Sequence, residues 1–276
     1  MNCHNFNIGV VDTDSISFCN RDGSPFSKEE LKSLLQEIND LCPEFITFED
    51  DGYYKKCIVL KAKNYILYDP TKEKERDRKQ VKGSAFKSSS KEPAIAQMMQ
   101  DMVNAILDDK QGDLLAIYEQ YVDEALNVTD IHRWAKKISA TESILACRNY
   151  TLDDIASKRL RRNETNVWDA IKNEERIQQG DKYYIYPAVL SSETVTTTKT
   201  SKKGKISSKS KVVEAHGLMQ SHKWDANAPN HIVSKLLERL YCTMEIFQFV
   251  LDINMFNDYS LVKNYKALVE KKNVGN

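Results

Sequence analysis

The sequence predicts an α+β protein in which strands dominate the N-terminal part and amphipathic helices dominate the rest. Runs rich in β-branched and aromatic residues occur at residues 9–18 and 51–69, which is typical of strands. Apolar residues recur at helical spacing after Ser27, after Pro93 and in several later segments. With 276 residues, of which 41% are hydrophobic, the chain is long enough for one or two domains with a sizeable core.

The first predicted element is a strand, a turn and a strand between Gly9 and Phe18, with Asp12-Thr13-Asp14-Ser15 at its centre. Alternate residues of an extended segment point to the same face, so Asp12 and Asp14 are expected to converge on one site. Their oxygens suit Mg²⁺, which is usually held by one or two carboxylates together with substrate phosphates. The pair therefore indicates phosphoryl or nucleotidyl transfer. Asp-x-Asp also occurs in ordinary turns and as the metal motif of glycosyltransferases, so the spacing alone leaves these alternatives open.

A helix is predicted next, because Ser27 and Glu30 have the spacing of a capping box. Apolar residues then recur at helical intervals, at Leu31, Leu34, Leu35, Ile38 and Leu41. Residues 51–69 follow as two strands bent near residues 61–64. On the second strand Lys63 and Tyr65 are expected to share one face, which places an ammonium group beside a phenol.

This order of elements resembles the C-terminal half of the palm domain of family B DNA polymerases, especially those of large tailed bacteriophages. In that family the third polymerase motif, usually Tyr-Gly-Asp-Thr-Asp-Ser, is followed by a Lys-Lys-x-Tyr segment. Here Asp12-Thr13-Asp14-Ser15 matches the first motif and Lys63-Asn64-Tyr65 matches Lys-x-Tyr. The resemblance implies an antiparallel palm sheet with helices, followed by a mainly helical thumb.

The chain departs from the family pattern at two places. Val10 and Val11 occupy the Tyr-Gly positions, and Ala62 replaces the first lysine of the doublet, with Lys61 one place earlier. The first departure would alter the surroundings of the sugar and the primer terminus and would leave the metal ligands in place. Two further segments are supporting matches to the family, namely Lys82-Gly83 and the run Gly180-Asp181-Lys182-Tyr183-Tyr184-Ile185-Tyr186.

The resemblance assigns catalytic and metal-binding roles to the two aspartates. Asp14 would be the direct ligand that bridges two Mg²⁺ ions, which activate the primer 3′-hydroxyl and stabilise charge on the transferring phosphoryl group. Asp12 would bind metal less directly and shape the local charge. A third carboxylate, an aspartate of another chain, would complete the two-metal site.

The resemblance also assigns DNA contacts. Lys63 and Tyr65 would hold a phosphate and the minor-groove side of the primer terminus without reading the base sequence. Lys61 would share the phosphate contact, and Lys82 is a further candidate. The bland alternative for these residues is an ordinary exposed strand face.

The family's remaining catalytic parts lie upstream of Asp-Thr-Asp-Ser. They are an aspartate of the first polymerase motif, the Lys/Arg-rich fingers helix that grips the nucleotide, and the exonuclease domain. Since the sequence begins at Met1, we expect these parts to come from an N-terminal polymerase chain, so that this chain is the C-terminal subunit of a split polymerase. Its partners would be that chain, primer-template DNA and dNTPs. A sliding clamp is a further candidate partner, although residues 272–276 contain no strong clamp motif.

Composition predicts a cytoplasmic protein. No apolar run approaches the roughly 18 residues that span a bilayer, and the N-terminus lacks a signal-peptide pattern. The cysteines contain no Cys-x-x-Cys pair, which favours scattered reduced thiols over a zinc or iron–sulfur module. His216 and His222 have no nearby cysteine, which disfavours a zinc site there.

The formal net charge is zero, which is unusual for a DNA-binding protein because such proteins neutralise phosphates with lysine and arginine. Positive charge is nevertheless concentrated in residues 194–213, which hold six lysines and no acidic residue in a segment rich in Ser, Thr and Gly. That composition predicts a basic flexible loop, either following a nucleic-acid backbone or serving as a solvated linker between two strands.

The later segments predict a mainly helical region. Helices are expected at about residues 92–108, 113–126, from 151, 164–178, 230–251 and 257–271, and strands at 182–190 and 211–217. Pro93 suits the first turn of its helix. The methionines of that helix are expected to fill the core. We place the palm part at residues 1–110 and the thumb, with its basic loop, at 111–276.

Two other functions remain open at this point. One is a noncatalytic DNA-binding subunit derived from a polymerase fragment, which would bind DNA in a salt-sensitive and metal-independent way. The other is a glycosyltransferase-like enzyme that uses Asp12 and Asp14 for a nucleotide-sugar. A glycine-rich loop would favour the second, but none of the nine glycines lies in such a motif.

Overall fold

The computed structural model describes residues 6–83, 91–151, 153–154, 162–200, 206–227, 231–247 and 250. The chain forms two compact units, Met1–Phe86 and Lys87–Asn276. Within the described residues there are seven α-helices and three small antiparallel sheets, so the predicted α+β class is confirmed. No helix in the described part of the chain combines the length and apolar character that crossing a membrane requires.

The first unit contains a two-stranded hairpin and a three-stranded sheet, each with a helix nearby in sequence. The hairpin pairs the first two strands, and the second sheet has the strand order β3-β4-β5. In chain order the elements are β1 (Phe6–Val11), β2 (Ile16–Asn20), α1 (Lys28–Asp40), β3 (Lys56–Lys61), β4 (Asn64–Tyr68), α2 (Glu75–Arg78) and β5 (Lys79–Lys82).

The start of α1 is fixed by its capping residues. Ser27 Oγ accepts a hydrogen bond from the Glu30 amide at 3.2 Å, and the Glu30 carboxylate accepts one from the Ser27 amide at 2.8 Å. The predicted capping box is therefore confirmed.

The second unit is built from helices and one sheet with the strand order β6-β7-β8. Two of its strands are much longer than the rest and form one hairpin. In chain order the elements are α3 (Pro93–Leu107), α4 (Leu114–Leu126), β6 (Lys136–Ser139), α5 (Glu142–Leu145), α6 (Arg162–Ile171), β7 (Lys182–Thr200), β8 (Ile206–Gln220) and α7 (Val233–Met244).

The second unit buries apolar side chains in two places, one among helices and one between a helix and the sheet. Helices α3, α4 and α7 pack on one another, and the buried side chains of α3 include Met98, Met99 and Met102, so the methionines fill the core as predicted. Trp168 and Ile171 of α6 pack with Tyr183 and other residues at the start of β7. Pro93 lies in the first turn of α3, as predicted.

The helix α3 marks a difference from the predicted division of the chain. We placed the domain boundary at residue 110, whereas the compact units divide between Phe86 and Lys87. The difference arises because α3 buries its apolar stripe against α4 and α7, which belong to the second unit.

The prediction of a loop over residues 194–213 was wrong in secondary structure for the described residues 194–200 and 206–213. These residues extend β7 and β8, which pair continuously from Ser191↔Ala215 to Thr200↔Ile206. Threonine and valine favour strands, and β7 carries five threonines and Val195 between residues 194 and 200, while β8 carries Val212 and Val213. Lys202, Lys203 and Lys205 lie outside the described residues.

Other predicted elements are confirmed in type with shifted ends. The predicted helices at 164–178 and 230–251 are observed as Arg162–Ile171 and Val233–Met244. Strands β5 and β6 were not predicted. The predicted helix at 257–271, and most of the helix predicted from residue 151, lie outside the described residues.

Candidate functional site

The Asp-Thr-Asp-Ser motif forms the connection between β1 and β2. Val11 pairs with Ile16, and the Asp12 amide donates a hydrogen bond to the Ser15 carbonyl oxygen at 2.8 Å. The predicted strand, turn and strand are therefore confirmed. The sequence argument assumed that Asp12 and Asp14 lie in an extended strand. They lie in the turn instead, so the alternation of strand side chains does not set their directions.

The two aspartates have different surroundings. Asp12 is partly buried, and its Oδ1 accepts a hydrogen bond from the Thr13 amide at 2.8 Å. Asp14 is exposed, and within the described part of the chain no group donates a hydrogen bond to its carboxylate. Asp14 is thus the more accessible oxygen ligand of the pair.

Lys63 lies beside this turn, although it belongs to the hairpin of β3 and β4. Its Nζ is 3.4 Å from Asp12 Oδ1, and its side chain is well exposed. The pKa of Asp12 lies below its usual range, chiefly because of the Thr13 amide and then because of Lys63, with partial desolvation opposing both effects. The two motifs of the polymerase resemblance, far apart in sequence, are therefore neighbours in space.

The backbone at Lys63 is unusual. The turn between β3 and β4 consists of Ala62 and Lys63, and Lys63 has a φ of +59°. This left-handed conformation is uncommon for a residue other than glycine, asparagine or aspartate. Strained backbone of this kind occurs preferentially at functional sites. Lys63 was expected on a strand face with Tyr65, but it lies in the turn.

Gly83 packs directly against this turn. Its φ is +95°, and a Cβ placed there would lie 2.2 Å from the Lys63 carbonyl oxygen and 2.4 Å from Asn64 Oδ1. Only a residue without a side chain allows this approach. The preceding Lys82 pairs in register with Tyr65, so the Lys82-Gly83 match of the resemblance adjoins the Lys-x-Tyr match.

The predicted DNA-contacting residues differ in accessibility. Lys61, Lys63 and Lys82 are exposed, whereas Tyr65 is only 5% exposed. The structure therefore brings three lysines to the surface around the turn at residues 62–63. Tyr65 supports the strand beneath them and does not lie on an open face.

The donor set of the turn fits part of a magnesium site. Among the described residues no group of three or more His, Cys, Asp and Glu side chains is arranged to hold a metal ion. Mg²⁺ is commonly held by one or two protein carboxylates plus substrate phosphates, so exposed Asp14 with neighbouring Asp12 matches the protein's share of such a site. In sites of this kind substrate phosphates supply further ligands.

A polar cleft of about 420 Å³ in the second unit was missed by sequence analysis. Glu174 lies in its wall with a nearly buried carboxylate, which accepts from Arg176 Nε at 2.7 Å. His222 Nε2 lies 3.2 Å from Glu174 Oε2 and 2.7 Å from Arg176 Nη2. The charged run at residues 174–176 gave no signal for burial, because only the fold shows which of its side chains turns inward.

The carboxylate of Glu174 makes the stability of the second unit dependent on pH. The pKa of Glu174 is lowered, first by Arg176, so the stabilisation is present above the unfolded pKa of about 4.3 and is lost as pH falls through the folded pKa. We expect Glu174→Gln to lower the free energy of unfolding at neutral pH, and the difference from the unsubstituted protein to vanish in acid. Urea unfolding followed by tryptophan fluorescence at several pH values measures this.

The control for this prediction is the adjacent Glu175→Gln, because the Glu175 side chain is exposed. This substitution should change the free energy of unfolding little at any pH. An effect of Glu174→Gln that is the same at all pH values would contradict the role of the ionised carboxylate.

Comparison with known proteins found no matching family model and no matching curated protein. The interpretation of the site thus rests on its own residues and geometry, together with the motif resemblance.

Proposed function

We propose that this chain supplies the C-terminal palm and thumb part of a family B DNA-directed DNA polymerase, for template-directed nucleotidyl transfer in DNA replication. One observation carries the proposal: Lys63 Nζ lies 3.4 Å from Asp12 Oδ1. The Asp-Thr-Asp-Ser and Lys-x-Tyr motifs are expected to serve one active site, and their adjacency supports that expectation.

In this proposal the residues of the turn divide the work. Asp14 offers an exposed carboxylate for a hard cation, and Asp12, held by Thr13 and Lys63, adds negative charge beside it. Bound Mg²⁺ supplies activation of the primer 3′-hydroxyl and stabilisation of charge on the transferring phosphoryl group. Lys63 holds Asp12 in place and, with its exposed neighbour Lys61, provides positive charge for the phosphates of the primer or the dNTP.

The remaining contacts follow from the sheet. Lys82 is exposed on the strand next to Tyr65 and is proposed to bind the DNA backbone. Tyr65 enters the proposal as a positioning residue, because its side chain is buried below the turn. Gly83 allows the close approach that fixes the turn.

The active site is proposed to be completed by polypeptide outside this sequence. The hairpin of β1 and β2 supports this, because Ile8 and Val11 on it are 60% and 65% exposed. A single two-stranded hairpin is marginally stable in water, and covering its apolar side chains would stabilise it. The covering polypeptide would also provide the third carboxylate and the nucleotide grip.

The proposal is tested by purifying the tagged chain from its native source and assaying primer extension. We expect a larger protein to co-purify, and the complex to extend primers only with Mg²⁺, while the chain alone is inactive. Salt-sensitive DNA binding without metal dependence, by a chain that elutes alone and inactive, would instead favour the noncatalytic DNA-binding function.

A further inference from the structure

The long hairpin of β7 and β8 extends beyond the rest of its sheet as a two-stranded arm. We define the arm as residues 191–200 and 206–216. Strand β6 pairs only with the start of β7, at residues 182–185. The arm is rooted at Gly217, where a Cβ would lie 2.4 Å from Leu190 Cδ1 and 2.6 Å from Asp169 Oδ2, so the base packs closely on α6. At about 3.3 Å per residue, the arm is roughly 30 Å long.

The half of the arm nearest its base is open to solvent. Residues 191–196 and 211–216 are all exposed, including Val195, Val212 and Val213. A two-stranded ribbon without a core beneath it gains little from its own packing. Because packing within the ribbon does not account for its regular strands, we infer that the arm serves as a binding surface.

The pairing register separates the arm into two different faces. Directly opposed residues lie on the same face of a ribbon, and alternate residues along a strand share that face. The pairs Val195↔Lys211, Thr197↔Lys209 and Lys199↔Ser207 therefore place the positions of Lys199, Lys209 and Lys211 on one face, which we call the basic face.

The opposite face carries hydroxyl residues. It is formed by Thr194↔Val212, Thr196↔Ser210 and Thr198↔Ser208, and the Thr196 and Ser210 hydroxyls are hydrogen-bonded at 2.9 Å. The only acidic residues of the arm are at its base. Glu193 lies on the basic face. Glu214 lies on the hydroxyl face, where its Oε2 is 2.9 Å from His216 Nε2. Among the described residues of the arm, the lysine positions thus all fall on one face, farther from the base than Glu193.

The chemistry of the basic face fits a phosphate backbone. The arm contains no Phe, Tyr or Trp, so it lacks the stacking platforms with which proteins bind single-stranded nucleic acid. Duplex DNA presents one negative charge for about each 1.7 Å of its axis, and a two-stranded ribbon is narrow enough to enter its major groove. Stable anchoring to a lipid surface would need larger apolar side chains than the three exposed valines.

We propose that the arm is a sequence-independent binding element for double-stranded DNA that contacts phosphates through its basic face. The choice of DNA as ligand rests on the proposed polymerase function, and the arm adds a contact surface distinct from the turn at residues 12–15. It would hold the duplex from the second unit and contribute affinity without reading bases.

The test replaces the three lysines of the basic face by threonine, in the variant K199T/K209T/K211T, because threonine favours strands and removes the charge. Each lost phosphate contact lowers the salt slope of binding by about 1, so the slope should fall by about 2 to 3. Binding to a short mixed-sequence duplex should weaken roughly tenfold or more at about 50 mM salt. Fluorescence anisotropy of a labelled duplex across a salt series measures both quantities.

The matched control keeps the net charge and changes the face. It adds T196K, T198K and S210K to the triple variant, which places three lysines on the hydroxyl face at exposed positions. Its binding should stay close to that of the triple variant. Full recovery of binding would show that net charge alone matters and would overturn the assignment to a face. Tryptophan fluorescence, to which Trp168 next to the base of the arm contributes, reports whether both variants keep their fold.

Other outcomes would overturn the proposal outright. If DNA binding of the triple variant is unchanged and self-association increases, the role of the lysines is to prevent exposed strand edges from pairing with other chains. If the unsubstituted chain binds phosphatidylserine vesicles more tightly than DNA, and the triple variant loses that binding, the arm is a lipid-binding element. The proposal is separable from catalysis, because duplex binding by the arm is measured without dNTPs and without primer extension. An inactive chain that still shows lysine-dependent binding would support the arm and contradict the polymerase function.

Discussion

If the chain is the proposed polymerase subunit, Asp14→Asn is expected to abolish Mg²⁺-dependent primer extension by its complex while the complex still forms. The change keeps the size of the side chain and removes its negative charge, so it removes a hard ligand that Mg²⁺ prefers. Loss of residues that only orient metal ligands typically costs 10- to 100-fold in activity or affinity, so loss of a direct ligand should cost more than about 100-fold. Primer extension measured across a range of Mg²⁺ concentrations gives the result.

The fold should tolerate this substitution. Asp14 is exposed in the turn, and no described residue donates a hydrogen bond to its carboxylate. Loss of activity with normal assembly would thus reflect the site and not its scaffold. Surface substitutions of this kind usually change the free energy of unfolding by less than about 0.5 kcal/mol.

Asp22→Asn is the matched control, because Asp22 is another exposed aspartate near the same hairpin and lies outside the Asp-Thr-Asp-Ser motif. Its Oδ1 accepts hydrogen bonds from the Ser24 amide at 2.9 Å and from Ser24 Oγ at 2.7 Å. An asparagine Oδ1 accepts the same bonds, so the local turn should remain. Full activity of Asp14→Asn would contradict the catalytic assignment, and loss of activity in both variants would indicate a general electrostatic effect.

Local signals predicted the elements that depend on neighbouring residues. The Ser27 and Glu30 capping box, the first-turn position of Pro93 and the hairpin around Asp12 each involve groups a few residues apart, and each is confirmed. Strand β6 was missed because it has only four residues, and its partner at residues 182–185 is distant in sequence. A short strand stabilised by such a partner has little signal of its own.

The sequence predicted which residues belong to the candidate site, but it did not predict how they contact one another. The order of motifs predicted that Asp12, Asp14 and Lys63 serve one site, but the ion pair between Lys63 and Asp12 depends on how two hairpins pack. The alternation rule placed Lys63 beside Tyr65 because it counted Lys63 as part of the second strand; the predicted bend lies where expected, but Lys63 belongs to the turn itself. Burial of Tyr65 is likewise a property of packing, which a motif does not encode.

The lysine segment shows how composition can mislead. Serine, threonine and lysine together are typical of solvated loops, and residues 194–213 were predicted as one. The same segment nevertheless pairs residue by residue across two strands, with threonines on β7 and valines on both strands. The two-residue period was present in the sequence, but it becomes recognisable only when both strands are aligned in register.

Gly83→Ala is expected to destabilise the first unit by about 2–5 kcal/mol. Alanine at a φ of +95° would cost about 1–2 kcal/mol for the left-handed backbone. Its Cβ would also lie 2.2 Å from the Lys63 carbonyl oxygen, and relieving such overlaps typically costs about 1–3 kcal/mol more. Since that oxygen belongs to the backbone of the turn, the overlap is relieved only if the turn or β5 moves.

Gly52→Ala is the matched control for this substitution. Gly52 has a φ of +106°, but nothing lies within 4 Å of the position of its Cβ. It should therefore cost only the backbone term of about 1–2 kcal/mol. The difference between the two variants isolates the close approach of Gly83 to the turn.

Hydrogen–deuterium exchange of peptides covering β3, β4 and β5 is the suitable measurement. Trp134, Trp168 and Trp224 are the three tryptophans of the chain, and all belong to the second unit, so intrinsic fluorescence would not report unfolding of the first. Exchange in these strands should accelerate more for Gly83→Ala than for Gly52→Ala, while exchange in α3 and α4 stays unchanged as an internal reference. Equal acceleration would contradict the steric argument. A larger effect at Gly83 would mean that the turn carrying Lys63 depends on this glycine, and hence that the Lys82-Gly83 match shapes the candidate site through packing.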